Sequence, residues 1–205
     1  VSIEVQATGW DEYWTKLEGA ATSNTMPDIF WMHSNQMFKY ADNGILADCS
    51  EIIDESDYSE IAAANAKGSD GKLYGVPKDK DTIALLYNKE LFDQAEVEYP
   101  NEEWTWDDLE NASAQINEKT GKYGYMAYSH DQIGYWNFVY QNGGAILNED
   151  GTEAMYTEPA TADAIEYYVN IQNNDWCPTQ AQFANTGASE LFFSGEGAMY
   201  YAGNW

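Results

Sequence analysis

The chain has 205 residues with a hydrophobic share of 44%, which allows one large domain or two modest ones with a buried core and argues against intrinsic disorder. Its 35 Asp and Glu residues outnumber the 9 Lys and Arg residues, and the formal charge of −26 repels phosphate backbones and anionic lipid surfaces. We therefore expect no nucleic-acid partner, and no apolar stretch approaches the roughly 20 residues that a membrane-spanning helix needs.

The first third of the chain predicts strands that alternate with helices. Residues 1–6 alternate in polarity like a strand, and residues 10–21 repeat aromatic and apolar side chains at helical spacing. An apolar run at 29–32 predicts a buried strand, and 34–41 predicts a second helix that stops at 43–44, an Asn-Gly pair. This alternation favours right-handed strand–helix–strand units in a mainly parallel sheet.

Two further strands are predicted at 72–77 and 82–87, on either side of the charged run 78–81. A short charged connector between two apolar strands fits a hairpin, and it equally fits a chain that crosses between two lobes. Periodicity leaves both possibilities open.

Capping chemistry and periodicity predict the elements after residue 100. Thr105 and Asp108 resemble a capping box at the start of a helix that ends at Gly121. The remaining predicted elements are a strand at 123–128, an aromatic helix or turn at 135–140, a helix that starts around 157–159, a short helix at 189–193 and a strand at 198–201.

Aromatic residues are the unusual part of the composition, at 15% of the chain with 8 Trp and 16 Tyr. Trp and Tyr join a large apolar face to a polar edge, which suits a wet surface that stacks on a ligand. Core packing is the competing explanation, and it must hold for most of them. We assign four tryptophans to structural roles: Trp14, Trp104, Trp106 and Trp176.

No motif in the sequence indicates a metal or a cofactor. The acidic pair Asp79 and Asp81 lacks the oxygen-ligand pattern of a calcium loop, and Cys49 and Cys177 lie outside any metal-binding spacing. We expect neither a metal nor a cofactor.

Four stretches of the sequence together resemble the family 1 extracellular solute-binding proteins, the carbohydrate-binding group that includes maltose-binding protein. They are Pro-Asp-Ile-Phe-Trp-Met-His-Ser at 27–34 with Asn-Gly-Ile-Leu at 43–46; Gly-Lys-Leu-Tyr-Gly-Val-Pro at 71–77 running into 81–92; Trp-Thr-Trp-Asp-Asp-Leu at 104–109; and Phe-Ser-Gly-Glu-Gly-Ala-Met at 193–199 with Gly-Asn-Trp at 203–205.

This resemblance implies an α/β fold of the type II periplasmic-binding-protein class, in which two α/β lobes are joined by a hinge. Lobe 1 would occupy residues 1–77, the first hinge crossing 78–81 and lobe 2 residues 82–205. By the same resemblance both lobes are incomplete, and the chain is about half of a family member that begins earlier and continues past residue 205. Cys49 and Cys177 would then lie in different lobes, so we expect two buried, unpaired thiols.

The resemblance also implies a function without catalysis. Such a protein captures a sugar or oligosaccharide in the cleft between its lobes and delivers it to the permease subunits of an ABC importer. We expect a monomer outside the cell or in the cell envelope, attached to the membrane only through a lipid anchor or the permease.

The candidate ligand residues combine stacking rings with hydrogen-bonding groups, as a pyranose requires. Trp31 and His33 sit at the end of a predicted strand and Ser34 follows them, at the sheet edge where α/β proteins bind ligands. The resemblance places Asp81 at the hinge as a bidentate acceptor, and Trp205 in a stacking loop beside Asn204. Three further candidates are Trp10, Tyr135 and Trp136, for which core packing competes.

Two other functions stay open at this point. A glycoside hydrolase needs two carboxylates across the scissile bond, and no second acid accompanies Asp81 in a matching motif. With only 2 His residues, acid–base chemistry is further limited. A polyamine or peptide receptor is the second alternative. A polyamine site needs several converging acids, and only Asp81 and Asp79 can be placed in one cleft.

Overall fold

The computed structural model describes residues 1–205, apart from the side chain of Asp11. The chain divides into two compact units, Val1–Lys80 and Asp81–Trp205. The boundary between these units falls inside the charged run 78–81. The assignment of that run as a hinge stays a prediction.

Unit 1 is helical. Its elements are α1 (Trp10–Ser23), α2 (Ser34–Asp42), a short 3-10 helix (Glu55–Asp57) and α3 (Glu60–Ala64). The two helices predicted in this region are thus confirmed, and so is the stop after α2, where Gly44 adopts a φ of +69°. The buried apolar side chains of this unit are Leu17, Met37, Tyr40, Ala41, Ala63, Ala66 and Leu73.

Three predicted strands of unit 1 are wrong. Residues 1–6 and 29–32 have no regular structure, and Ile29 is 91% exposed. Within 72–77 the only pairing described is an isolated bridge between Leu73 and Lys67. A strand exists only where a neighbour satisfies its backbone groups, and none of the described residues of unit 1 supplies a strand to pair with.

Unit 2 combines six helices with a three-stranded sheet. The helices are α4 (Lys89–Ala95), α5 (Trp106–Thr120), α6 (Trp136–Gln141), α7 (Pro159–Ile171), α8 (Gln180–Asn185) and α9 (Ala188–Phe193), and one π-helical turn (Asp131–Tyr135) leads directly into α6. The strands are β1 (Ile83–Tyr87), β2 (Tyr123–Tyr125) and β3 (Gly197–Gly203).

The sheet has the order β1-β3-β2 and is mixed. β1 runs antiparallel to β3, with Ile83 opposite Gly203, while β2 runs parallel to β3, with Tyr125 opposite Met199. The prediction of a mainly parallel sheet is therefore wrong, because apolar patterns identify strands but carry no information about which distant strand becomes the partner.

Helix α5 follows its sequence signals closely. The Thr105 hydroxyl accepts from the backbone N–H of Asp108, and the Asp108 carboxylate accepts from Thr105 N–H at 2.8 Å. The Thr105 hydroxyl also donates to the Asp108 carboxylate at 2.7 Å, and this bond, together with that from Thr105 N–H, lowers the pKa of the Asp108 carboxyl. Gly121 ends the helix with a φ of +69°. The predicted capping box and stop are thus confirmed.

Most aromatic rings of unit 2 belong to its core. Trp106 stacks on Tyr167 with ring centroids 4.3 Å apart, and Phe138 packs against Tyr125 and Tyr168. Trp176 is buried, and Trp104 packs against the same core. The structural assignment of these tryptophans is consistent with this packing.

The two cysteines are unpaired and lie in different units. Cys177 is buried, and burial raises the pKa of its thiol to about 11. Cys49 is only half-buried, so the expectation of two buried thiols is wrong for this residue. No helix among the described residues combines the length and the apolar character that a bilayer crossing demands.

The contact between α5 and β2 depends on one glycine. A Cβ added at Gly124 would lie 2.3 Å from Ser113 Cα and 2.5 Å from Ser113 O. These are backbone atoms of a buried helix, so they cannot move aside at low cost. Any side chain at residue 124 must therefore push the helix away from the strand.

We expect Gly124→Ala to lower the free energy of unfolding by about 3 kcal/mol, since overpacking against backbone forces the helix and strand apart. The measurement is urea unfolding followed by circular dichroism. Gly19→Ala is the matched control, because open space surrounds that position inside α1. There alanine should hold or raise stability. Equal stability of the two variants would contradict the close packing.

Candidate functional site

Two chain segments of unit 2 meet at one end of its sheet, and a third leaves the sheet in the same direction. Antiparallel β1 begins opposite Gly203 at the end of β3, whereas parallel β2 ends at Tyr125, opposite Met199. The segment before β1 contains Asp81, the one after β3 contains Asn204 and Trp205, and the one after β2 leads to Trp136. In α/β folds ligands commonly bind at such carboxyl ends.

Asn204 joins two of these segments. Its side-chain Oδ1 accepts a hydrogen bond from the backbone N–H of Thr82 at 3.0 Å. This bond closes the end of the β1–β3 ladder, one residue beyond the pairing of Ile83 with Gly203. It fixes the backbone beside Asp81, whose side chain is exposed.

Trp205 lies against the end of β3 and is 68% exposed. A Cβ at Gly203 would lie only 1.7 Å from Cζ3 of the Trp205 ring, so the ring packs directly on glycine backbone. An indole supported on one side and open to solvent on the other offers a surface on which the C–H face of a sugar can stack.

Trp136 and Tyr135 occupy the third segment and are half-buried. The indole Nε1 of Trp136 is buried without a hydrogen-bond partner, which is unusual for a buried donor. The Tyr135 hydroxyl lies 3.4 Å from that of Tyr156, and burial raises the pKa of Tyr135. Core packing accounts for part of both side chains, because each contacts the hydrophobic core of unit 2.

Unit 1 gathers the other predicted residues around the start of α2. The rings of Trp10 and His33 meet edge to face with centroids 5.8 Å apart. Trp31 is 63% exposed, and its carbonyl accepts a hydrogen bond from the Tyr13 hydroxyl. Lys78 places its ammonium nitrogen 4.0 Å from the centroid of the Trp31 ring. We call Trp10, Trp31, His33 and Lys78 the Trp31 patch.

The helix start also sets the chemistry of His33. His33 is the N-cap of α2, and its Nδ1 accepts from Asn35 N–H at 3.3 Å. A nitrogen that accepts carries no proton, so the neutral ring bears its proton on Nε2 and can donate from there. Ser34 is the exposed first residue of the helix. The sequence predicted Trp31 and His33 at the end of a strand, whereas they lie on a loop that enters α2.

Several neighbours of these residues were not among the sequence candidates. Lys78 makes a cation–π contact with Trp31, and the Tyr13 hydroxyl donates to the Trp31 carbonyl. The backbone N–H of Thr82 donates to the side chain of Asn204. The polar run at 78–81 was the only available signal for Lys78. Nothing in spacing or composition indicates the roles of Tyr13 and Thr82.

The two surface cavities described in unit 2 have volumes of about 410 and 460 Å³ and involve other residues. The first lies over Leu85, Tyr87 and Trp104, and the second over Tyr123 and the loop that follows α7. Among the described residues, acidic, His and Cys side chains form no group of three that could hold a metal ion.

The family model for bacterial extracellular solute-binding proteins matches residues 1–205, which is the entire chain. The chain belongs to this family. The type II periplasmic-binding-protein fold predicted from the sequence is also confirmed by the solved structures that the chain resembles. The chain spans about half the length of the curated relatives it matches.

Several relatives of this solute-binding protein have names that state a ligand. The chain is 28% identical to a diacetylchitobiose-binding protein of Streptomyces coelicolor, over 100% of this chain and 48% of that protein. A substrate-binding protein of Listeria monocytogenes in complex with cycloalternan superposes with a TM-score of 0.86 at 30% identity, over 97% of this chain and 53% of that one. The GacH receptor of Streptomyces glaucescens, described in complex with acarbose, gives a TM-score of 0.81 at 30% identity, over 96% and 50%.

We expect Asn204→Ala to accelerate hydrogen exchange of the Thr82 amide several-fold, because a neutral hydrogen bond contributes about 1 kcal/mol. The rate is measured by NMR exchange in this solute-binding protein. Asn204→Asp should retain protection, since a carboxylate oxygen also accepts. Asn185→Ala, at the exposed end of α8, is the control. Unchanged exchange in Asn204→Ala would show that this bond does not close the ladder.

Proposed function

We propose that the whole protein captures a sugar or oligosaccharide outside the cell and delivers it to an ABC importer. The observation that carries this proposal is the family match over residues 1–205. Relatives named for diacetylchitobiose, arabinooligosaccharide and galactooligosaccharide binding support a carbohydrate as the ligand. The exposed tryptophans and Asp81 supply suitable chemistry.

The side chains at the sheet edge of unit 2 suit a pyranose. Trp205 offers an exposed ring for the C–H face of the sugar, and the Asp81 carboxylate can accept from two neighbouring hydroxyls. Trp136 Nε1 is a buried donor without a hydrogen-bond partner in the segment that follows β2. In our proposal, the Trp31 patch of unit 1 supplies additional stacking surface.

The domain organisation completes the proposed mechanism. Residues 1–77 and 82–205 would be parts of the two lobes, and 78–81 would be the hinge. A solute that contacts both lobes stabilises the closed form, and the permease distinguishes the closed from the open protein. Function is then a conformational equilibrium and involves no bond cleavage.

The same proposal places the protein in the cell envelope as a monomer, with a lipid anchor in its full-length form. It contains no catalytic step, in line with relatives that are named as binding proteins. No observation favours a hydrolase, and none favours a polyamine or peptide receptor.

We expect calorimetry of the whole protein against di- and trisaccharides to detect binding, and chromatography of the mixture to detect no cleavage. Asp81→Asn should weaken this binding by about tenfold or more, because charge-assisted hydrogen bonds contribute about 1.5–3 kcal/mol. Its melting temperature without ligand should not change. Asp150→Asn, an exposed loop position, is the matched control. Cleaved products would refute the proposed function, and full affinity in Asp81→Asn would remove that residue from the site.

We expect Trp205→Ala to weaken the binding of longer oligosaccharides more than that of shorter ones. A stacking ring at the edge of the site adds contacts for additional sugar units. Dissociation constants for a series from disaccharide to tetrasaccharide measure the effect. Trp205→Phe should retain part of the length dependence because it keeps an aromatic face. An equal loss for every length would indicate that Trp205 has a structural role.

A further inference from the structure

The ring of Trp31 has a cation on its face. The Lys78 ammonium nitrogen lies 4.0 Å from the ring centroid, although the indole is 63% exposed and Lys78 is exposed as well. Trp is the aromatic partner that attracts cations most strongly. Burial does not force this contact, so Trp31 and Lys78 together present one aromatic and one positive surface to solvent.

The arrangement of Lys78 differs from that of the other ion-paired lysines in unit 1. Lys16, Lys39, Lys67 and Lys72 each pair with a carboxylate without contacting a tryptophan ring. Lys78 pairs with its sequence neighbour Asp79. Exposed pairs of this kind contribute little to stability. A ligand carboxylate can therefore take the place of Asp79 without disrupting the fold.

The remaining polar groups of the Trp31 patch are donors. His33 presents an Nε2 proton because its Nδ1 accepts from Asn35, and the indoles of Trp10 and Trp31 can only donate. Asp79, which contacts Lys78, is the carboxylate that the structure pairs with this patch. A surface of donors and one ammonium group selects a ligand that is rich in acceptors, and a carboxylate is the strongest such group.

We infer that Lys78 is a specificity-determining residue that favours an acidic sugar, an oligosaccharide containing a hexuronic acid. The sugar ring lies against Trp31, and its carboxylate replaces Asp79 as the partner of the Lys78 ammonium group. This inference rests on the proposed function and specifies the class of sugar that the same site takes.

The net negative charge of the chain repels an anionic ligand, whereas the ion pair with Lys78 attracts it. Screening by salt decides which of these two interactions prevails. The formal charge is −26, but at physiological ionic strength charges more than about 8 Å away are largely screened. A direct ion pair at the Trp31 patch is much less screened. The preference for the acidic sugar should thus persist at 0.15 M salt and fall at very low ionic strength, where the distant carboxylates repel the ligand.

The test compares dissociation constants of the whole protein for matched trisaccharides at 0.15 M salt. Each acidic sugar (galacturonate, glucuronate or mannuronate) is paired with the corresponding neutral hexose. We expect at least one acidic trisaccharide to bind several-fold more tightly than its neutral counterpart, the gain that an exposed ion pair allows. Lys78→Gln should abolish this ratio and Asp79→Asn should increase it. Lys72→Gln, which removes a lysine paired with Asp48, should leave the ratio unchanged.

The outcomes separate this inference from the proposed function. Binding of neutral trisaccharides with no acidic preference overturns the inference and leaves the proposed function standing. Binding of neither class contradicts both. If Lys78→Gln raises the affinity for acidic and neutral trisaccharides equally, the lysine only covers the Trp31 ring, and the inference is again overturned.

Discussion

The pairing of β1 with β3 is the interaction on which the organisation of unit 2 depends. β3 is the central strand, so it carries hydrogen bonds to β1 on one side and to β2 on the other. It joins residues at the two ends of the unit, with Ile83 opposite Gly203. Without this antiparallel register, Asp81 and Trp205 would have no reason to share a sheet edge. The candidate site of unit 2 is thus a consequence of strand pairing.

Glycine positions extend the same constraint to the surroundings of the sheet. Gly124 lets α5 approach β2, and Gly203 lets the Trp205 ring lie on the strand end. In both places a methyl group would occupy space that another group fills. In unit 1, hydrogen bonds near helix starts position the candidate residues. His33 is the N-cap of α2, and the Tyr13 hydroxyl of α1 donates to the carbonyl of Trp31.

Local signals allowed the sequence to predict α1, α2, α5, α7 and α9, whereas α3, α4 and α8 were not predicted. The capping box at Thr105 and the stop at Gly121 depend on residues next to each other in the chain, and both formed as expected. The strands at 1–6 and 29–32 did not form, because a strand needs a distant partner that alternation cannot reveal. The direction of β1 against β3 was missed for the same reason.

The candidate site shows the same division. Exposed tryptophans such as Trp31 and Trp205 were identified from composition together with the family resemblance. Lys78 was missed, because the side chain lies over a ring that is distant in sequence. The family and the fold class, in contrast, were predictable from four short stretches, since the order and spacing of several weak motifs together are specific.

The most direct test of sugar capture is an NMR experiment in which an oligosaccharide that the protein binds is titrated into the whole protein. The indole N–H resonances of the tryptophans are followed during the titration. Each indole reports on its own surroundings, and the chain has 8 of them. We expect the indole resonances of Trp31 and Trp205 to shift on binding, while those of Trp104, Trp106 and Trp176 in the core region of unit 2 stay unchanged. Shifts confined to the core tryptophans, with Trp31 and Trp205 unaffected, would contradict this expectation.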